Sequence, residues 1–227
     1  MTPKNKTVIF DLDDTLYKEE EFLKSAFLEI AHRLPVPLSP DSCLPTPEEI
    51  FIRMMAWWKE GENVFQKLIT TYCLQTTVSC LLTMYRSHTP SLPLNEATRN
   101  LLLRLKEKAV LGLITDGRSV TQRHKIAALG LDTLMNDADI LISGDTGYEK
   151  PSPEPYLRIM ERHPSSTYYY VGDNPSKDFV APNRLGWTTI CLLDNGQNIH
   201  PQDFNLPQPM LPQHTISQIT EIENIII

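Results

Sequence analysis

Thr7-Val8-Ile9-Phe10-Asp11-Leu12-Asp13-Asp14 is the stretch that decides the reading of this chain. A short apolar run of buried-strand length, residues 7 to 10, delivers Asp11 and Asp13 at its carboxyl end. Like charges this close raise each other's pKa, so the arrangement calls for a positive partner. A hard dication is the usual remedy. Mg2+ suits an oxygen-rich, carboxylate-lined site, because it keeps several waters and is often shared between one or two carboxylates and a substrate phosphate. Asp is also common in turns, and on this segment alone an acidic turn accounts for the same letters equally well.

Working outward, residues 20 to 85 carry helical periodicity. Phe22, Leu23, Ala26, Phe27, Ile30 and Leu34 recur as one apolar face. A loop with Pro35, Pro37, Pro40 and Pro45 follows, and then Thr46, Pro47 and Glu49 supply an N-cap, a first-turn proline and a capping-box acid. Ile50, Phe51, Met54, Met55 and Trp58 form the next stripe. Val64, Phe65, Leu68, Ile69, Tyr72 and Cys73 form another, and Val78, Leu81, Leu82 and Tyr85 a last one. This region reads as a small helical bundle.

Beyond Pro93 the texture changes to alternating helix and strand. Asn95 to Lys108 reads as a helix and Val110 to Ile114 as a strand. Ser119 with Gln122 suggests a capping box for a helix ending at Leu129, with Gly130 as its C′ residue. Ile140 to Ile142, Tyr168 to Val171 and Trp187 to Leu192 read as strands, with a helix opened by Ser152 and Pro153 running to about Arg162. The prolines at 201, 207, 209 and 212 mark an irregular excursion before the chain returns at Ile216 to Ile227. Strands alternating with helices predict a parallel sheet. The expected fold is α/β: a Rossmann-like core of residues 1–16 and 92–227, with residues 17–91 inserted as a helical cap.

In such sheets ligands bind beyond the carboxyl ends of the strands. There the sequence places Asp11 and Asp13, then Thr115, Asp116 and Gly117, then Gly172, Asp173 and Asn174 with Asp178 close behind. Lys150 lies in the loop ahead of the Ser152 helix. Thr115 offers a hydroxyl, Gly117 permits close backbone approach, and a helix opening near Ser119 points N–H groups to the same crevice, as phosphate binding requires. Each of these signals is weak alone. Their convergence on one end of the sheet is not.

FDLDDTL at Phe10 to Leu16, LITDG at Leu113 to Gly117, Lys150-Pro151, and GDNPSKD at Gly172 to Asp178 resemble the four ordered motifs of the haloacid dehalogenase superfamily. The insertion between the first two is similar to that superfamily's first class of helical cap. The resemblance implies a Mg2+-dependent phosphatase acting on a small-molecule phosphate monoester. Asp11 would be the nucleophile, forming an aspartyl-phosphate, and Asp13 the acid–base. The metal would be held by the Asp11 carboxylate, the Asp13 carbonyl and Asp173. Thr115, Asp116, Gly117 and Lys150 would bind the phosphoryl group, supported by Asp178 and Asn174. Dehalogenases of the same superfamily are a weaker match, since halide leaves without a proton and needs neither Asp13 nor a metal. A sugar phosphomutase shares every motif, and a phosphate-binding module without turnover is the remaining alternative. FDLDDTLY also resembles the start of members acting on nucleoside monophosphates, but the shared part is the catalytic loop.

The whole-chain properties fit this reading. At 227 residues the chain suits one domain with an insertion or two modest domains. A net charge of −7 with no basic run argues against nucleic acid as a partner. No stretch suits a signal peptide or a spanning helix, so a soluble cytoplasmic protein is expected, monomeric or homodimeric. Cys43, Cys73, Cys80 and Cys191 lack zinc-site spacing and read as reduced thiols. Arg53, Trp57, Trp58 and Lys59 are candidates to face a substrate from the insert, although an aromatic and basic helix is more often core on one side and solvated on the other.

Overall fold

In the computed structural model, which describes residues 5–34 and 45–226, the chain divides into two compact units, Met1–Glu20 with Leu92–Ile227 and Glu21–Ser91. The element order is β1 (Lys6–Phe10), α1 (Glu19–His32), α2 (Pro47–Lys59), α3 (Val64–Tyr72), α4 (Val78–Ser87), α5 (Glu96–Lys108), β2 (Val110–Thr115), α6 (Ser119–Ala128), β3 (Ile140–Ile142), α7 (Ser143–Thr146), α8 (Glu154–Arg162), β4 (Thr167–Gly172), α9 (Val180–Arg184), β5 (Thr188–Leu192), β6 (His214–Ile216) and α10 (Glu223–Ile226). Pro35, Pro37 and Pro40 of the expected loop, and Cys43, lie outside the described residues.

The six strands form one parallel sheet in the order β3-β2-β1-β4-β5-β6, the α/β architecture that the alternating pattern predicts. The earliest strand in the chain is therefore central. Val8 pairs with Leu111 on one side and Tyr169 on the other. A strand covered on both faces must be apolar throughout, and Val8, Ile9 and Phe10 are fully buried. On one face Ile9, Ile114, Tyr156, Ile159, Tyr170, Phe179 and Trp187 form a core cluster. Tyr156 meets Tyr170 and Trp187 edge-on at centroid distances of 5.2 and 5.4 Å, a geometry that aligns ring edges with ring faces.

The unit Glu21–Ser91 is helical. Phe22, Phe27, Phe65 and Tyr85 interlock as rings 5.5 to 6.1 Å apart. Helix α2 opens with the capping box read from sequence, Thr46 and Glu49 each accepting the other's backbone N–H. Three details of the sequence reading are corrected. Trp57, packed near Tyr72, is the buried tryptophan of α2 rather than Trp58. Leu34 lies past the end of α1. Cys73 is an exposed C-cap in the left-handed region (φ 47°) and not part of the α3 stripe. Exposed Arg53 and Lys59 fit the solvated side of their helix, and Trp57 its core side. Buried His88 is bonded at Nε2 to the Ser25 hydroxyl (2.8 Å) and at Nδ1 to Glu29, a satisfied core histidine.

In the sheet unit, Gly130 takes the expected C′ position after α6 with φ +67°. The Ser119–Gln122 capping box does not form: Arg118 is the N-cap, without a side-chain bond, and the Gln122 amide is used elsewhere. Between β5 and β6 the proline-rich segment runs without long elements, as expected. No helix among the described residues is long and apolar enough to cross a membrane.

Candidate active site

The central strands end together, and their last residues bring the polar groups to one crevice. Its lining includes Asp11, Asp13, Thr115, Asp116, Asp173 and Asn174, all singled out from sequence, together with Glu19, Lys177 and His200. Lys150 and Asp178 bond to lining residues, Lys150 to Asp11 and Asp178 to Asn174.

Asp11, Asp173 and Asp178 each present a carboxylate oxygen within 4.8 Å of the others, and all three are buried. Lys150 supplies the nearest positive charge, its Nζ standing 2.8 Å from Asp11 Oδ1 and 2.7 Å from Asp178 Oδ1. It also donates to the Tyr170 hydroxyl at 3.2 Å. Burial disfavours the Lys150 ammonium, but the two carboxylates overcome this and hold its pKa well above the usual value. Both oxygens of Asp178 are occupied, since Oδ2 accepts the Asn174 N–H at 2.8 Å. Asp173 is less compensated. Burial, then the charges of Asp11 and Asp178, push it up to about 8. Asp11 is pushed to about 7, burial outweighing the help of Lys150. The surplus of carboxylate over ammonium and the all-oxygen donor set fit a hard dication.

Asp13 does not join this cluster through its side chain. Its Oδ1 accepts from Lys125 Nζ (2.7 Å) and from the Tyr17 hydroxyl, and its Oδ2 from Gln122 Nε2 (2.8 Å). Burial works against its charged form, yet Lys125, helped by the bonds from Tyr17 and Gln122, holds the carboxyl below its usual pKa. Glu19, 3.6 Å from Lys125, is instead raised to about 7 by burial and by Asp13.

At the end of β2, the Thr115 hydroxyl accepts from Gln122 Nε2 at 2.7 Å, leaving its own proton to point elsewhere. The Asp116 carboxylate takes the Lys150 backbone N–H (3.1 Å) and Lys177 Nζ (3.4 Å), so it anchors the Lys150 loop. Gly117 has φ +143°, a conformation that side chains resist. The close approach there is made by the protein itself: its N–H donates to Ser143 Oγ and its carbonyl accepts from Gly144 N, both at 3.0 Å. Its N–H is therefore not among the free donors that the sequence reading expected at this helix opening.

The excursion after β5 also reaches the site. Asp194 collects the N–H groups of Gly196, Gln197 and Asn198, shaping a turn that aims Asn198 Nδ2 at Asp173 Oδ2 (2.9 Å). Asp14, with φ 56°, accepts from Glu19 N (3.0 Å) and Ile199 N (2.9 Å), so it is a turn residue joining two segments. Sequence reasoning missed Tyr17, Glu19, Gln122, Lys125, Lys177, Asn198 and His200. One signal was available: Gln122 and Lys125 share a helix face with Ile126 and Leu129, where apolar residues belong, and both are buried.

Residues 8–192 match the haloacid dehalogenase-like hydrolases, and this chain belongs to that family. Among curated proteins it is similar to a glyceraldehyde 3-phosphate phosphatase of Methanocaldococcus jannaschii, 25% identical over 97% of this chain and 96% of the relative. A protein of the same name from Methanothermobacter thermautotrophicus is 26% identical over 96% and 99%. In fold the chain resembles the HAD-hydrolase YfnB of Bacillus subtilis, solved bound to magnesium, with a TM-score of 0.66 at 22% identity, covering 98% of this chain and 99% of that one.

Proposed function

We propose that this protein is a Mg2+-dependent hydrolase of small-molecule phosphate monoesters that works through an aspartyl-phosphate on Asp11. The observation that carries the proposal is the separation of the two carboxylates of the first strand end. Asp11 belongs to the acidic cluster beside Lys150, while Asp13 is held apart from it by Lys125, Gln122 and Tyr17. A nucleophile and an acid–base need such separate surroundings. The names of the curated relatives support the same reaction class, and make triose phosphates the first esters to try.

Asp13, ionised in the unliganded site where Lys125 holds its pKa down, takes up a proton from solvent as the ester binds. In the first step an Asp11 oxygen then bonds to phosphorus as the ester P–O bond breaks, and the departing oxygen takes that proton from the Asp13 carboxyl. In the second, water attacks phosphorus, the Asp11–phosphorus bond breaks, and Asp13 receives the water proton. Product alcohol and phosphate leave with both carboxyl groups restored. The Asp11 and Asp173 carboxylates, with the Asp13 carbonyl, would hold Mg2+, which offsets their charge against the incoming phosphate. Thr115 has its hydroxyl proton free for a phosphoryl oxygen, and Lys150, kept charged, counters the negative charge around Asp11. Asp116 and Asp178 place Lys150, and Asn174 places Asp178. Residues Glu21–Ser91 we read as the family's helical cap.

A phosphate-ester panel with and without Mg2+ tests the reading. Metal-dependent release of inorganic phosphate is expected, with Asp11→Asn slower by on the order of 10³-fold or more. Hydrolysis that survives Asp11→Asn unchanged, or metal-independent action on haloacids, would overturn it; transfer of the phosphoryl group without release would make the protein a mutase.

A further inference from the structure

We infer that Gln122 and Lys125 of α6, together with Tyr17, are positioning residues that aim the Asp13 carboxyl at the leaving-group oxygen. The inference rests on the reading of Asp13 as acid–base. Three donors from two segments meet one carboxylate: Lys125 Nζ and the Tyr17 hydroxyl at Oδ1, Gln122 Nε2 at Oδ2. With both oxygens engaged, rotation about the Cβ–Cγ bond breaks at least one strong bond, so the carboxyl plane is fixed.

Gln122 and Lys125 stand three apart on one helix, which places them side by side on one face. Gln122 does more than hold Asp13. The same amide nitrogen reaches the Thr115 hydroxyl at 2.7 Å and the Asp116 carbonyl at 3.1 Å. The orientation of the acid–base is thereby tied to the end of β2, where the phosphoryl oxygens are proposed to bind. A misdirected proton donor costs rate only where the leaving group needs a proton, so the effect of these residues should depend on the ester.

That dependence separates aiming from mere support of the fold, since a helix peg would affect all substrates alike. Purified enzyme with Mg2+ is assayed on glycerol phosphate, whose alkoxide needs a proton, and on p-nitrophenyl phosphate, whose anion leaves unaided. Asp13→Asn calibrates the assay and should lose at least ten-fold more kcat on the alkyl ester than on the aryl ester. Gln122→Ala and Lys125→Met should show the same selectivity, about 10²-fold on the alkyl ester, with KM little changed. Tyr17→Phe, which removes a single hydroxyl and keeps the ring, is the mild variant should Lys125→Met fail to fold, and its selective loss should be several-fold. If Asp13→Asn is selective while the α6 and Tyr17 variants slow both esters in equal proportion, or neither, the inference is overturned and the acid–base reading stands. If Asp13→Asn itself shows no selectivity, the acid–base reading fails first.

Discussion

Lys150 is a weak signal in the sequence taken alone, because most lysines are solvated, and only the resemblance makes it a phosphate-binding residue. In the fold it is 6% exposed and sits between Asp11 and Asp178. Breaking a buried ion group by removing one partner typically costs about 3–5 kcal/mol, since the others remain charged and dry. Lys150→Met should therefore lower stability in urea by about that amount and abolish turnover; a variant as stable as the parent would show that the carboxylates are compensated otherwise. Asp11, Asp173 and Asp178 were legible because strand ends in a parallel sheet predict where side chains gather. Gln122 and Lys125 were not, because their value depends on reaching Asp13 from 109 and 112 residues away, which their place on the apolar face of α6 hints at but does not specify. Tyr17, four residues from Asp13, was read only as part of the catalytic-loop resemblance. Gln122 was drawn instead to the local explanation, a capping box, which the fold does not use.

At the scale of elements, strands were easier to read than helix faces. Val8 to Phe10 and Ile140 to Ile142 are continuous apolar runs because they are covered on both sides, whereas α2 offered two adjacent tryptophans and only packing chose Trp57. β4 supplies the sharper test. Its last residue, Gly172, is backed by Asp178: an added Cβ would lie 2.5 Å from Asp178 Oδ2 and 2.8 Å from its Cγ. Gly172→Ala should displace Asp178, loosen its grip on Lys150, and lower kcat by about ten-fold or more while far-UV circular dichroism stays unchanged. Full activity in this variant would mean that Asp178 can shift without moving Lys150.

For the whole molecule, the surplus of buried acid near the strand ends links stability to pH. Asp173, Asp11 and Glu19 ordinarily titrate at 3.8, 3.8 and 4.5, and in the fold at about 8, 7 and 7. The folded state thus keeps protons that the unfolded chain gives up. The resulting stability is complete below about pH 4 and is lost as pH rises through 7 to 8. A dication bound to the same carboxylates requires them ionised, so the rise in Tm on adding Mg2+ should be larger at pH 8 than at pH 6. Thermal denaturation at the two values checks this, and a larger rise at pH 6 would contradict it.

The sheet order carries a further consequence for how the protein comes into being. β1 is synthesised first yet lies in the middle, bonded to strands that begin at Val110 and Thr167. At 5–20 residues per second, roughly 8 to 30 s separate the emergence of Phe10 from that of its second neighbour. Through that interval Asp11 has neither its strand ladder nor, until residue 150, its lysine. Asp14 gains the backbone of Ile199 later still. Asp11 and Asp13 thus stay without part of their surroundings until β4 has been made, so the acidic crevice is assembled only after the strand that ends at Gly172.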